Sequence, residues 1–266
     1  MASEACSSVA AANTSVMAVT GKRGQEADTQ TGARKLVKSD HPEGEQVIRF
    51  YTGKKGGVAY KYNNNPLIPK SEINDYEWLS NFYPSSLCSD GTVYKSSEHY
   101  FQARRFERVP SMEDMRATKC APVDQHTDEM RALRLEFVKH IVDAPTPNTA
   151  FYLNSYVSFR KSDGGFYVKA PYPHMKPHAE LIRRFYDKGL RSFPPNSDGD
   201  VEIMMVALRL KFGQSDELRS KLLATGQATL IEHTRRDCVW GDGGDGSGRN
   251  QLGKCLMRVR SEIVGS

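Results

Sequence analysis

The chain has 266 residues, of which 38% are hydrophobic and 26% charged, with a formal net charge of +5. These values describe an ordinary globular chain, long enough for one large domain or two small ones. No apolar run approaches the ~20 residues that cross a bilayer, and no basic segment leads into a compact apolar stretch as a secretory signal would. The expectation is therefore a protein without a membrane role. The stretch before Val47 holds five Lys/Arg against six Asp/Glu, so the surplus of basic charge, 32 against 26, lies in the remainder. Such a surplus suits a phosphate-bearing ligand but is too small to mark a nucleic-acid binder alone. Five cysteines, Cys6, Cys88, Cys120, Cys238 and Cys255, are odd in number and lack CxxC spacing. They argue against a disulfide scaffold and a zinc site and for a reducing compartment, cytoplasmic or nuclear.

Residues 1–45 are rich in Ala, Ser, Thr, Gly and charge without apolar periodicity, and read as a disordered tail. A transit peptide is the alternative, which Glu4, Glu26 and Asp28 fit poorly. Order should begin with a strand at Val47–Tyr51, followed by a Gly/Asn/Lys-rich loop over Gly53–Pro69. After Trp78-Leu-Ser-Asn81-Phe82, the pair Asp90-Gly91 marks a tight turn and Thr92–Tyr94 a strand. Ser96-Ser97 caps a helix through Glu98–Arg108. Met112–Val142 reads as mainly helical, broken at Pro122 and ended by Pro145-Thr-Pro147. The segment from there to Asp200 is aromatic and rich in Pro and Gly, with one helix expected at Ala179–Lys188. An apolar helix follows over Val201–Phe212. A shorter one begins at Ser215 and ends at Gly226, and Thr229–Glu232 is a strand. A glycine-dense loop then opens a last helix from Asn250 to Val264. There is no repeat. The expected class is α+β, mostly helical, in one domain over 46–266.

Three constellations carry chemistry. In Asp237-Cys-Val-Trp240-Gly-Asp242-Gly-Gly-Asp245-Gly-Ser-Gly248-Arg-Asn250, glycines such as Gly241, Gly243, Gly246 and Gly248 let backbone approach a neighbour closely. The loop feeds a helix N-terminus, where an anion is favoured. It is either a phosphate cradle or a tight connection; without a Gly-Lys-Ser/Thr ending it is not a P-loop. Trp240, beside Asp242 and Asn250, offers a face to a base or sugar. In the helix after Ser97, Glu98, Gln102 and Arg105 fall at i, i+4 and i+7 and share one face, with Tyr100 further round. Glu98 is either a general acid or base or a capping carboxylate on a wet stripe. Lys211 lies about 200° round its helix from Arg209, on the face of Met204, Ala207 and Leu208. It is either an amine snorkelling at the helix end or a partly buried one fit to be a nucleophile or phosphate partner. The histidines show no HxxxH or HExxH spacing, and no metal is expected.

Taken together, these segments resemble the NADAR (YbiA-like) superfamily. The resemblance rests on Leu79–Phe82, Ser97–Ala103, Ala207–Phe212, Leu222–Gly226, Leu230–Thr234 and Asp237–Asn250, then Leu252-Gly253 and Leu256–Arg260, in the family's order. Residues 145–198 fall outside it as an insertion. It implies a compact, mostly helical domain without metal or cofactor that hydrolyses N-glycosidic bonds. Two substrates are implied: ADP-ribose on the amino group of guanine in DNA or RNA, or ribosylamino-pyrimidine phosphates of riboflavin synthesis. The resemblance makes Glu98 the catalytic carboxylate, with Asp237 and Asp242 as further candidates, and Lys211 an amine able to capture a ring-opened sugar. Trp78, Asn81, Phe82, Tyr100, Gln102, Arg105, Trp240, the loop glycines, Asp242 and Asn250 are expected to bind substrate. Arg105 stands where many relatives carry Lys, and Arg forms no Schiff base at neutral pH, so a nucleophile at that position would not act by an imine in this chain. No Trp occurs over Ser192–Asp200 as it does in bacterial members, which favours the guanine substrate. A non-catalytic ADP-ribose-binding module and a hydrolase of reactive metabolites are the competing functions. Oligomeric state is left open.

Overall fold

The computed structural model describes residues 46–50, 76–108, 126–158, 177–188, 198–235 and 237–265. The expectations for the tail, the Gly53–Pro69 loop and the break at Pro122 lie outside these residues. Among the described residues seven α-helices accompany four short strands, a mostly helical α+β architecture. Strand β1 (Val47–Phe50) lies parallel to β4 (Thr229–Glu232), with Val47 opposite Thr229 and Phe50 opposite Glu232. Strands β2 (Leu87–Ser89) and β3 (Thr92–Tyr94) form an antiparallel hairpin. Asp90 and Gly91 at its tip have φ of 50° and 75°, as a two-residue type I′ turn requires.

Helix α1 (Ser97–Glu107) is packed among α2 (Asp128–Asp143), α3 (Pro147–Ser158) and α5 (Asp198–Gly213). Ser96 caps it, its Oγ accepting the His99 N–H at 3.3 Å. The His99 ring is fully buried, which pulls its pKa down to about 4. A neutral ring beside a carbonyl must place its hydrogen there, so Nε2 donates to the Ala144 carbonyl at 3.2 Å and Nδ1 accepts from the Ser96 hydroxyl at 2.8 Å. The start of α1 is thereby pinned to the end of α2.

Helix α3 was not expected. Pro145-Thr-Pro147 does follow the end of α2, but the second proline also opens a helix. Thr146 Oγ1 accepts the Thr149 N–H at 3.1 Å, and Pro147 takes the first helical position, where a missing N–H costs nothing. Beyond it lie α4 (Ala179–Asp187), α6 (Asp216–Ala224) and α7 (Gln251–Val264). The described parts of 145–198 contribute to the core. Its Leu153, Leu181, Ile182 and Phe185 are buried, and Phe185 meets Phe106 of α1 and Phe137 of α2 with centroids 5.3 and 4.6 Å apart. Each such ring contributes roughly 1.5–3 kcal/mol through burial. Cys238 and Cys255 are free thiols. Cys88 is disulfide-bonded, which the reading of scattered cysteines as thiols did not anticipate, because spacing in sequence does not show which cysteines meet in the fold.

Candidate active site

Glu98 sits one position inside the start of α1 and is 2% exposed, so it is no wet capping residue. Its backbone N–H donates to the Asn81 carbonyl at 3.0 Å. Each carboxylate oxygen receives one amide: Asn81 Nδ2 reaches Oε2 at 2.5 Å and Gln102 Nε2 reaches Oε1 at 2.6 Å. Gln102 is fixed in turn by Asn154 of α3, whose Nδ2 donates to the Gln102 Oε1. That contact leaves the Gln102 NH2 group facing Glu98. Burial pushes the Glu98 carboxyl up to about 7, against the downward pull of Gln102, Arg105 and Asn81, while the charge of Asp237 adds to the rise. A carboxyl poised near neutrality inside a frame of donors can give or take a proton at physiological pH.

Arg105, one face with Glu98 and Gln102 as the helical spacing requires, is 7% exposed. Its Nε lies 3.1 Å from Asp200 Oδ1, in the first turn of α5, and its guanidinium lies 5.6 Å from the centre of the Phe101 ring. Phe101 also takes Trp240 edge-on, with centroids 5.4 Å apart. Asp237 Oδ1 accepts the N–H groups of Val239 and Trp240 at 2.7 and 2.8 Å, and its negative charge is felt at Glu98. Tyr100 points elsewhere: it packs edge-on against Tyr94 of the hairpin at 5.0 Å.

Lys211 is 1% exposed and does not snorkel. Its Nζ donates to the Ser80 carbonyl at 2.7 Å and lies 5.5 and 5.2 Å from the ring centres of Tyr83 and Phe212. Among the described residues no carboxylate forms an ion pair with it, and burial pulls its pKa down to about 7. Ser80 thus holds the amine while its neighbour Asn81 holds the carboxylate. Trp78, 7% exposed, is a wall of the same corner, packed against Phe212 at 6.3 Å.

The glycine loop has a different character. Its N–H groups turn inward: Asp242 to the Glu232 carbonyl, Gly243 to Asp237, Gly248 to Asp242, Arg249 to Cys238 and Asn250 to Gly241, at 2.7–3.2 Å. The N–H groups of Gln251 and Leu252, which open α7, donate to the carbonyls of Val239 and Trp240 at 3.0 and 3.1 Å. The first two N–H groups of this helix are thus occupied by the loop itself. Asp242, 6% exposed, accepts from Thr234 and Gly244 N–H on Oδ1 at 3.1 and 2.8 Å and pairs with His233 Nδ1 through Oδ2 at 2.7 Å. Asn250, at φ 50°, clamps β4, donating to the Leu230 carbonyl at 2.8 Å and accepting the Glu232 N–H at 3.0 Å. A Cβ at Gly248 would meet the carbonyl carbon of Asp242 at 2.4 Å, and one at Gly241 the Glu232 carbonyl oxygen at 2.9 Å. What approaches Gly248 is the loop's own backbone, and what approaches Gly241 is the Thr234 side chain and the end of β4.

Asn154 and Asp200, both buried and both partners of residues singled out above, carry no local signal in the sequence. Among the described residues no cluster of three or more His, Cys, Asp or Glu could hold a metal ion, and no helix is long and apolar enough to cross a membrane.

A family model described as the NADAR domain matches residues 188–264, which take in Lys211, Asp237 and Trp240 but not Glu98. The N-glycosidase YbiA of Shigella flexneri serotype 5b is 30% identical over 194 residues, 73% of this chain and 86% of that protein. A riboflavin biosynthesis protein of Vibrio vulnificus is 32% identical over 189 residues, 71% of this chain; the match spans only 36% of that longer protein. The NMR structure of Escherichia coli YbiA aligns with 83% of this chain and 86% of its own, at 25% identity and a TM-score of 0.46.

Proposed function

The chain belongs to the NADAR (YbiA-like) family of N-glycosidases, hydrolases acting on N-glycosyl compounds, and from that premise we propose that it cleaves the bond between a ribose carbon and an exocyclic amine, removing ADP-ribose from guanine bases in nucleic acid. The observation that carries the reading is Glu98: buried, held through both oxygens by Asn81 and Gln102, and poised at about 7. Breaking a ribose C–N bond calls for a proton on the departing amine and for negative charge near the sugar carbon, where positive charge develops. Glu98 in its protonated form supplies the first. Asp237, whose charge is felt at Glu98, supplies the second. Lys211, with an amine largely able to shed its proton near neutrality, is suited to add to C1 of the ring-opened sugar, expelling the exocyclic amine and leaving an imine that water then hydrolyses to free sugar and lysine. Trp240 offers an aromatic wall beside the carboxylates.

The second reading is hydrolysis of ribosylamino-pyrimidine phosphates, favoured by relatives named as riboflavin biosynthesis proteins. Both substrates join a ribose to an exocyclic amine, so one experiment separates them. The chain is incubated with DNA carrying ADP-ribosylated guanine and, separately, with the ribosylamino-pyrimidine phosphate, and products are read by mass spectrometry. Release of ADP-ribose is the expected result. Release of ribose phosphate alone installs the second reading, and no product from either substrate leaves only a binding module.

A further inference from the structure

Three buried side chains form a line from α3 to the acid. Asn154 of α3 donates through Nδ2 to Gln102 Oε1, and Gln102 donates through Nε2 to Glu98 Oε1 at 2.6 Å. Each link is constrained by what its groups can do. An ionised carboxylate only accepts, whereas a protonated one can also donate. Gln102 carries donor and acceptor on one amide, and a half-turn of that amide exchanges them. With its NH2 towards Glu98 it favours the anion; with its carbonyl there it would favour the protonated acid. The group on the far side of Gln102 chooses between these poses. Asn154 presents its own NH2, which only the Gln102 carbonyl can accept, so that carbonyl is held away from Glu98.

We propose that Asn154 is a positioning residue: it holds the Gln102 amide donor-first against Glu98 and so governs how readily that carboxyl gives up and takes back its proton. This rests on the N-glycosidase reading above for its use in catalysis, and adds to it a control on the acid exerted from α3. Helix α3 contains no Asp, Glu, Lys, Arg or His, so its hold on Glu98 works through hydrogen bonds and not through charge. The charges belong to other elements. Arg105 on α1 pulls the Glu98 carboxyl down and Asp237 in the glycine loop pushes it up. From α5, Asp200 pairs with Arg105 and Lys211 donates to the Ser80 carbonyl. Arg134 of α2 donates to the Phe106 carbonyl, about two turns along α1 from Glu98. None of these contacts is made by Asn154, so replacing it removes the amide link and leaves the charges standing.

The test is Asn154→Leu in the full chain, close in volume and unable to donate, with Asn154→Ala used should the leucine variant not fold. Glu98 is followed directly by carbon NMR of a chain labelled at the glutamate carboxyl, its signal assigned by its loss in Glu98→Gln. The native carboxyl is expected to titrate near 7. In the leucine variant it should titrate higher by about one pH unit or more, as loss of a fixed hydrogen bond to a charged group implies. Gln102→Leu should raise it likewise, and adding Asn154→Leu to Gln102→Leu should move it no further, because the influence passes through Gln102. A purely structural role would lower stability and leave the titration in place. A native titration in Asn154→Leu overturns the proposal, as does a further shift in the double variant. Turnover separates it from the reading it rests on. The alkaline limb of kcat/KM, where protonated Glu98 runs out, should move up with the titration. If the titration shifts but the native chain hydrolyses no N-glycoside, the positioning role stands and the reaction falls. If hydrolysis proceeds and both titration and alkaline limb stay native in Asn154→Leu, the positioning role alone falls.

Discussion

The face of α1 and the loop from Asp237 to Asn250 are both dense in polar groups, yet they use them in opposite ways. On α1, amides and charges converge on one carboxylate, and burial holds that carboxylate near 7 instead of settling it as an anion. In the loop, carboxylate and backbone donors satisfy each other: Asp242 accepts from Thr234, Gly244 and His233, and Asn250 closes on β4. The first region stores an unresolved electrostatic cost, as functional sites do. The second spends its polar groups on holding a shape. Substitutions in the first should therefore change rate, and those in the second should change stability.

The largest expected effect is at Glu98. Glu98→Gln should lower the rate of N-glycoside hydrolysis by ~10²–10⁴ while ADP-ribose affinity changes little. Both carboxylate oxygens accept an amide N–H, so the new amide must turn its own NH2 towards one of those donors. Melting temperature should be measured beside the rate to separate that conflict from the lost proton. A native rate in Glu98→Gln would break the comparison at its root and move the chemistry to Asp237.

Next is Lys211. If its amine captures the sugar, Lys211→Met abolishes turnover and borohydride traps an adduct on the native chain only. Stability gives a check that does not depend on chemistry. The Lys211 pKa is about 7 when folded against an ordinary 10.5, so the unfolded chain binds the extra proton between those values. Native stability is then lost as pH falls from 10.5 to 7. Lys211→Met lacks this linkage. Its melting temperature relative to the native chain should rise as pH is lowered across that window and level off below it. A difference independent of pH would mean the amine stays charged when folded.

A third prediction belongs to the loop. Asn250→Ala removes two hydrogen bonds to β4 and strands the Glu232 N–H. The loss should be on the order of 1–3 kcal/mol in unfolding free energy by denaturant titration, with kcat per folded molecule unchanged. A fall in kcat at full folding would make Asn250 part of the chemistry.

Helical period made the α1 face legible, because Glu98, Gln102 and Arg105 had to share a side of any helix there, and it put Lys211 among Met204, Ala207 and Leu208 for the same reason. The strand pair β2–β3 followed from Asp90-Gly91. Asn154 was hidden because Pro147 works as a stop for one helix and a start for the next, and a linear pattern shows only the stop. Asp200 was hidden because its partner Arg105 is distant in sequence, and no local spacing announces a buried ion pair. The loop shows the deeper limit. A run of glycines says that something approaches the backbone closely, but it cannot say whether that neighbour is a ligand or the same loop.

Gly246 sharpens this last point with the smallest effect. Its φ is 85°, and a Cβ there would meet nothing within 4 Å. Gly248 has no positive φ, but its Cβ would lie 2.4 Å from the Asp242 carbonyl carbon and the Gly241 carbonyl oxygen. The two glycines are thus needed for different reasons, one for backbone angle and one for room. Gly246→Ala should cost about 1 kcal/mol of stability through left-handed strain and leave ADP-ribose affinity within about twofold, because no clash arises and the neighbouring donors of Gly244 and Ser247 are already bound to Asp242 and Asp245. Gly248→Ala should cost several times more, since backbone must move to admit the methyl group. Calorimetric titration of ADP-ribose into Gly246→Ala decides between the two uses of the loop. Affinity lost tenfold, with melting temperature barely changed, would restore the phosphate cradle and make the loop part of the site after all.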